Sequence, residues 1–329
     1  MTKYSLSRRC FGKAAAALLA AGTPCLAQTE KREKARIAIT LDLEMSRHYP
    51  KRGMMEWDFQ KGNLDEPTKE YAVQAAEIVE QFGARIHFFC VGRVLEQPKI
   101  QWLKTITERG HVVGNHTYDH VNVLADSPEN TQFRFQRAPW LVKGKTVADI
   151  IRENIRLTDI ALQERANIET NGFRTPGGFG QGIRDRDDIQ QMLLDLGFQW
   201  VSSKYPSHQH GEIGRKPDER IFADIVRAQS EAQPLKYASG LVEIPMSPIS
   251  DVNAFRAARW KLDWFLEATR RSVDWAIENA AVFDFLCHPS CMVVEDPEFK
   301  TIKQICQQVS DSKNRAEITT LDKIAETVT

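Results

Sequence analysis

The run Ile37-Ala38-Ile39-Thr40-Leu41-Asp42-Leu43-Glu44 is apolar and β-branched until it closes on two carboxylates. It reads as a strand, and residues two apart on a strand face the same way, so Asp42 and Glu44 can enter one site. Comparable runs recur at 85–91, 111–115, 170–174, 199–203, 241–245 and 282–287, with a shorter one at 317–320. Segments of helical periodicity lie between them, at 68–82, 100–108, 146–165, 186–196, 253–279 and 298–309. Seven or eight βα units without a break in composition predict one α/β domain built as a barrel. The polar residues gather at the C-terminal ends of the strands, where such barrels keep their chemistry.

The strand at 111–115 runs into Gly114-Asn115-His116-Thr117-Tyr118-Asp119-His120. Its histidines are four apart, a spacing that sets two imidazoles on one side of a helical turn. Two imidazoles and a carboxylate suit a divalent metal and leave the second carboxylate free for proton transfer. Alone, such a pair is more often two solvated loop histidines; the rest of the chain favours the metal reading. His87 and His111 start their strands, far from the expected site end, and are expected to be structural. His208 and His210 sit in a polar loop and are expected to face solvent.

The first 27 residues read as an export signal. Ser7-Arg8-Arg9-Cys10-Phe11-Gly12-Lys13 is a twin-arginine pattern, followed by an alanine-rich stretch too short to span a membrane and a cleavage site near Ala27. The expected organisation is a twin-arginine signal peptide at 1–27, a solvated linker at 28–35 and one barrel domain at 36–329. The precursor would meet the twin-arginine export machinery, and the mature chain would be periplasmic or secreted, with no stable membrane insertion. Removing Lys3, Arg8, Arg9 and Lys13 from 44 basic residues leaves 40 against 44 acidic, a net charge of −4. Nothing in that balance recruits nucleic acid or an anionic membrane surface. Of the four cysteines left, Cys287 and Cys291 flank His288, but no second C-x-x-C pair supports a zinc knot; buried thiols are the first expectation.

Three connections exceed what a barrel needs: 45–66, 121–145 and 204–233. Loops this long in a compact domain tend to be functional or disordered. The first two carry Tyr49, Trp57, Phe59, Phe133, Phe135 and Trp140, rings suited either to stacking on sugars or to seating the loops on the barrel. The series Trp260, Trp264 and Trp275 is expected to be packing.

Taken in order, these motifs resemble the polysaccharide deacetylase family, the NodB-like group also called carbohydrate esterase family 4. Thr40-Leu41-Asp42-Leu43-Glu44 is similar to its first motif, usually Thr-Phe-Asp-Asp. His116-Thr117-Tyr118-Asp119-His120 matches H-[ST]-x-x-H. Phe173-Arg174-Thr175-Pro176-Gly177-Gly178 resembles R-x-P-x-G, and Leu286-Cys287-His288 resembles the closing L-x-H. The resemblance implies a distorted (β/α)7-8 barrel and a metal-dependent hydrolase that removes acetyl groups from N-acetylated sugars, at a C–N bond that is not a peptide. It further implies a metal, expected to be Zn2+, on Glu44, His116 and His120, with Asp42 as general base. Arg174 would pair with Asp42, the backbone N–H of Gly177 would meet the oxyanion, and His288 would act as general acid.

Two departures from the family pattern stand out. Leu43 separates the two carboxylates, which the family usually has adjacent. The segment 198–203 lacks the aspartates usual there, one of which orients the catalytic histidine; Asp251 is the candidate replacement. Alternatives are a hydrolase of a non-sugar amide such as a cyclic ureide, and an inactive carbohydrate-binding relative. An iron(II) oxygenase fits the two-histidine, one-carboxylate donor set but not the alternating helices. A zinc protease would need glutamate where Thr117 stands, and no G-x-S-x-G elbow marks a serine hydrolase.

Overall fold

Strand β1 (Ala35–Leu43) forms the spine of the sheet, with all but one of its residues buried. A strand buried along nearly its whole length suits a parallel sheet covered on both faces, and β1 lies parallel to both of its main neighbours. The computed structural model describes residues 34–54 and 56–328. The twin-arginine stretch and 28–33 of the expected linker lie outside the described residues, and Ala35 already belongs to β1.

Eight further strands follow: β2 (His87–Cys90), β3 (Val112–Asn115), β4 (Gly172–Phe179), β5 (Trp200–Lys204), β6 (Leu235–Lys236), β7 (Val242–Glu243), β8 (Val282–Cys287) and β9 (Ala316–Ile318). They hydrogen-bond in the order β6-β7-β5-β4-β3-β2-β1-β8, and β9 joins the first residues of β1. Only the β6–β7 pair is antiparallel. The sheet curls into a half-barrel with helices packed outside, the distorted barrel expected from the sequence.

The seam between β7 and β8 is closed by few groups. Ser247 N donates to Asp284 O at 3.0 Å. Gln229 and Gln233 each donate an amide N–H to Val282 O at 3.1 Å, and Gln233 Oε1 accepts from Val282 N at 2.9 Å. Both glutamines belong to the Glu219–Glu231 helix and the turn after it. Side-chain amides thus stand in for a missing ladder and satisfy strand groups that burial would otherwise leave unpaired.

That helix corrects one expectation, because 204–233 is not a long loop. Asp218 caps it by accepting from Arg220 N and Ile221 N, and Ile221, Phe222, Ile225 and Ala228 form its buried face. The charged residues between them break up the apolar signal. The expected single helix 253–279 is likewise two pieces, a π-helical turn at Val252–Ala257 and a helix at Leu262–Glu278. Arg259 between them is left-handed, which interrupts the helical ladder. Elsewhere the helix ends follow local chemistry: Asp65 caps Glu66–Gln81, and Thr146 and Asp149 form a capping box on Val147–Ala166.

His87 and His111 are buried, as structural residues would be, and burial first of all holds them neutral, to about 3 for His87 and about 4 for His111. Cys90, Cys287, Cys291 and Cys306 are buried and free, and Trp260 joins the core. No helix among the described residues is long and apolar enough to cross a membrane.

Candidate active site and metal centre

At the C-terminal end of β1 the backbone turns sharply, Glu44 N donating to Asp42 O at 3.0 Å. Ser290 fastens this turn, donating its hydroxyl to Glu44 O and accepting from Ser46 N, both at 2.9 Å. Asp42 and Glu44 therefore line one cavity of about 180 Å³, with His116, His120, Gly177 and His288 in the same wall. The structure brings together every site residue expected from the sequence except Arg174, which lies beneath the wall.

The two histidines meet differently from expectation. Residues 116–120 form a loop, not a helical turn, with Thr117 and His120 left-handed. Side chains carry this loop in place of a helical ladder. Asn115 Oδ1 accepts from Thr117 N, Asn154 Oδ1 accepts from Asp119 N, and Thr117 Oγ1 accepts from Val121 N. The rings end 5.1 Å apart between centroids. Asn154 belongs to the helix Val147–Ala166, so a distant element shapes the motif.

Glu44, His116 and His120 can each offer one atom to a common ion, the three atoms lying within 4.8 Å of one another. Glu44 Oε2 lies 2.7 Å from His120 Nε2 and 3.9 Å from His116 Nε2. It is buried, and its neighbour at hydrogen-bond distance is the His120 imidazole, itself a candidate ligand, as suits an oxygen built to coordinate. His116 Nδ1 lies 2.9 Å from Arg174 O, which assigns its proton to Nδ1 and leaves the Nε2 lone pair facing the cluster. Burial lowers the pKa of both histidines, that of His120 to about 4, so they stand ready as neutral ligands. The donor set of two nitrogens and one oxygen fits zinc.

Burial pushes the Glu44 carboxyl up, but His120, Lys61 and His288 outweigh it and hold it well below the usual range. Lys61 was not found from the sequence. It comes from the 45–66 loop, whose end is tied back by Met45 N donating to Lys61 O at 2.9 Å. Its buried ammonium lies 2.5 Å from Glu44 Oε1 and 4.8 Å from the centroid of the Trp57 ring.

Asp42 Oδ1 accepts from Arg174 Nη1 at 3.1 Å, and Asp42 Oδ2 lies 3.8 Å from His116 Nε2. Arg174 is fully buried and donates to Thr40 Oγ1 at 2.7 Å, Asp284 Oδ2 at 2.5 Å and Ser202 Oγ at 3.2 Å. Its guanidinium also stacks 4.2 Å over Phe89. Asp284 is a second residue missed from the sequence, although its place in the apolar strand Phe283-Asp284-Phe285 was a signal that it points inward. Burial raises its pKa to about 6, against the pull of Arg174 and Thr40. The segment 198–203, which lacks aspartates, contributes Ser202 to this network instead.

His288 Nδ1 lies 3.1 Å from both oxygens of Asp251, and its backbone N donates to Asp251 Oδ2 at 3.0 Å. Burial opposes a charge on the imidazole, yet Asp251 and Glu44 raise its pKa to about 10. His288 is thus a cationic donor at neutral pH, with Nε2 turned toward Glu44 Oε1 at 3.4 Å. Gly177 adopts φ +79°, which only glycine takes up without strain, inside the stretch of β4 where the register shifts between Arg174 and Phe179. His208 and His210 stack edge to face, half-buried, outside the metal-donor cluster.

Residues 57–201 match the family model described as polysaccharide deacetylase. Over these residues, which are under half of the chain, it resembles the polysaccharide deacetylase family. A solved structure from Mycobacterium smegmatis named as a polysaccharide deacetylase superposes with a TM-score of 0.61 at 16% identity, covering 91% of each chain. One from Pseudomonas aeruginosa PAO1, named likewise, gives 0.58 at 12% identity, covering 88% of this chain and 89% of that one. At such identities the likeness is of fold. No curated protein matches the chain. The family match takes in His116, His120 and Arg174, whereas Asp42, Glu44, Asp251 and His288 lie outside it. The curled sheet unites the two groups, and the family match supports deacetylase activity in general.

Of the expected aromatic rim, Trp57 lines the cavity and Phe133 packs edge-on against it, 5.4 Å between centroids. Phe59, Phe133 and Trp140 are exposed, whereas Tyr49 and Phe135 are buried and seat their loops.

Proposed function

We propose that this chain is a metal-dependent hydrolase that removes acetyl groups from N-acetylated sugars. The observation that carries the reading is the Glu44, His116 and His120 donor set, with Asp42 and His288 in the same small cavity. A divalent ion on those three residues supplies Lewis acidity and a more acidic water. Asp42, held by Arg174, takes the proton of the attacking water. His288, held by Asp251, gives a proton to the departing nitrogen, since an amine leaves poorly as an anion. The C–N bond breaks, and acetate and the free amine result. The backbone N–H of Gly177 is the candidate oxyanion donor. Trp57 and Phe133 offer a sugar ring an apolar face to stack on. The joint presence of Asp42, Arg174 and His288 speaks against an inactive binding relative.

The purified mature chain is expected to carry one zinc ion and to release acetate from a panel of acetylated sugars, with activity lost to a chelator and restored by zinc. A metal-free chain that releases acetate equally well sinks the reading. The small cavity, about 180 Å³, also suits a small non-sugar amide, so a cyclic ureide belongs in the same panel.

For localisation we propose export by the twin-arginine route, on the strength of Arg8-Arg9 and the alanine-rich run after them. Changing both arginines to lysine is expected to strand the precursor in the cytoplasm. Unchanged delivery to the periplasm would assign another route.

A further inference from the structure

Among the cavity-wall side chains that the proposed chemistry leaves unused is Arg256. Arg256 lies on the π-helical turn Val252–Ala257, which departs from the helix expected there. Its Nη1 donates to Ser46 Oγ at 3.1 Å, while its Nε is buried without a hydrogen-bond partner. Arg256 makes no ion pair among the described residues, and neither do the exposed Arg47, Arg52 and Arg259, whose charges with its own act on His48. Burial first, and then these four cations, lower the pKa of His48. The carboxylates lining the cavity are Asp42 and Glu44, and both are committed, to Arg174 and to Lys61 with the histidines. A guanidinium in the cavity wall without an ion pair, with one buried donor lacking an acceptor, costs free energy; a bound anion answers both.

We propose that Arg256 is a specificity-determining residue that receives a carboxylate carried by the substrate beside its acetamido group. The inference deepens the deacetylase reading and rests on it for the acetamido group. A planar carboxylate matches the guanidinium fork, whereas a lysine would offer only a point charge. The substrate class is therefore an acidic N-acetylated sugar, not a neutral one.

N-acetylmuramic acid and N-acetylglucosamine share ring and amide and differ by a lactyl carboxylate. Binding by calorimetry and acetate release are measured for both sugars on the zinc-loaded wild type, R256Q and R256K. The wild type is expected to prefer the carboxylated sugar, and R256Q to narrow that preference by at least about tenfold, through KM, with metal content unchanged. R256K is expected to recover part of it. Preferential binding that depends on Arg256, with acetate released from neither sugar, keeps the carboxylate pocket and sinks the deacetylase reading. Acetate released from both with equal KM keeps the deacetylase and overturns the pocket. Equal binding of the two sugars, including binding of neither, also overturns it, as does an equal effect of R256Q on both.

Discussion

Asp42→Asn is expected to keep one metal ion per chain while kcat falls by about 10²–10⁴-fold, the worth of one positioned acid or base. The asparagine still fills the space beside Arg174, with an amide oxygen left to accept from Nη1, but it cannot take a proton from water. Glu44→Gln and His120→Ala should behave differently, because Glu44 Oε2 and His120 Nε2 stand 2.7 Å apart in the donor cluster. Both variants should lose the ion, measured by metal analysis after dialysis, and lose turnover with it. The roles of the carboxylates depend on that contrast. Asp42 Oδ2 is 3.8 Å from His116 Nε2, within reach of a shared ion. An empty site in Asp42→Asn beside a filled one in Glu44→Gln would exchange the two assignments.

His288→Ala should retain metal and substrate yet lose most turnover on an amide, again by about 10²–10⁴-fold. The loss should shrink on an activated acetate ester, whose leaving group departs without a proton. Equal loss on both substrates would make His288 a residue of binding or structure. The same imidazole is expected to set the alkaline limb of the pH–rate profile, because only its protonated form can donate. Asp251 is the main group lifting its pKa to about 10, against the opposing effect of burial. Asp251→Asn removes that negative charge, so the proton is lost at lower pH and the alkaline limb should move down. A limb that stays in place would detach Asp251 from the catalytic proton.

Much of this molecule was legible from its residues because the signals are local. Apolar runs of strand length, amphipathic stretches between them and cap residues such as Thr146 act within a few positions, and those elements appeared near where they were expected. Where neighbours decide the outcome, the reading failed. Glu219–Glu231 hid in an expected loop because its packing face is interleaved with charge. The helix expected over 253–279 broke because Arg259 adopts a left-handed backbone. His116 and His120 do come together as expected, but the reason offered was wrong: hydrogen bonds to Asn115 and Asn154 replace the helical turn.

By themselves, then, the residues determined the kinds of donor available, two imidazoles and two carboxylates at strand ends, and the order of the elements that carry them. Tertiary structure decided which groups share a cavity and in what charge state. Lys61 reaches Glu44 only because its loop is tied back to Met45, and Asp284 reaches Arg174 only across the curled sheet. Asp251 finds His288 from a segment 37 residues away. The physical reason is range. Backbone preference extends over a turn or two, whereas desolvation and Coulomb forces depend on distance through space, which the chain sets only when the sheet curls.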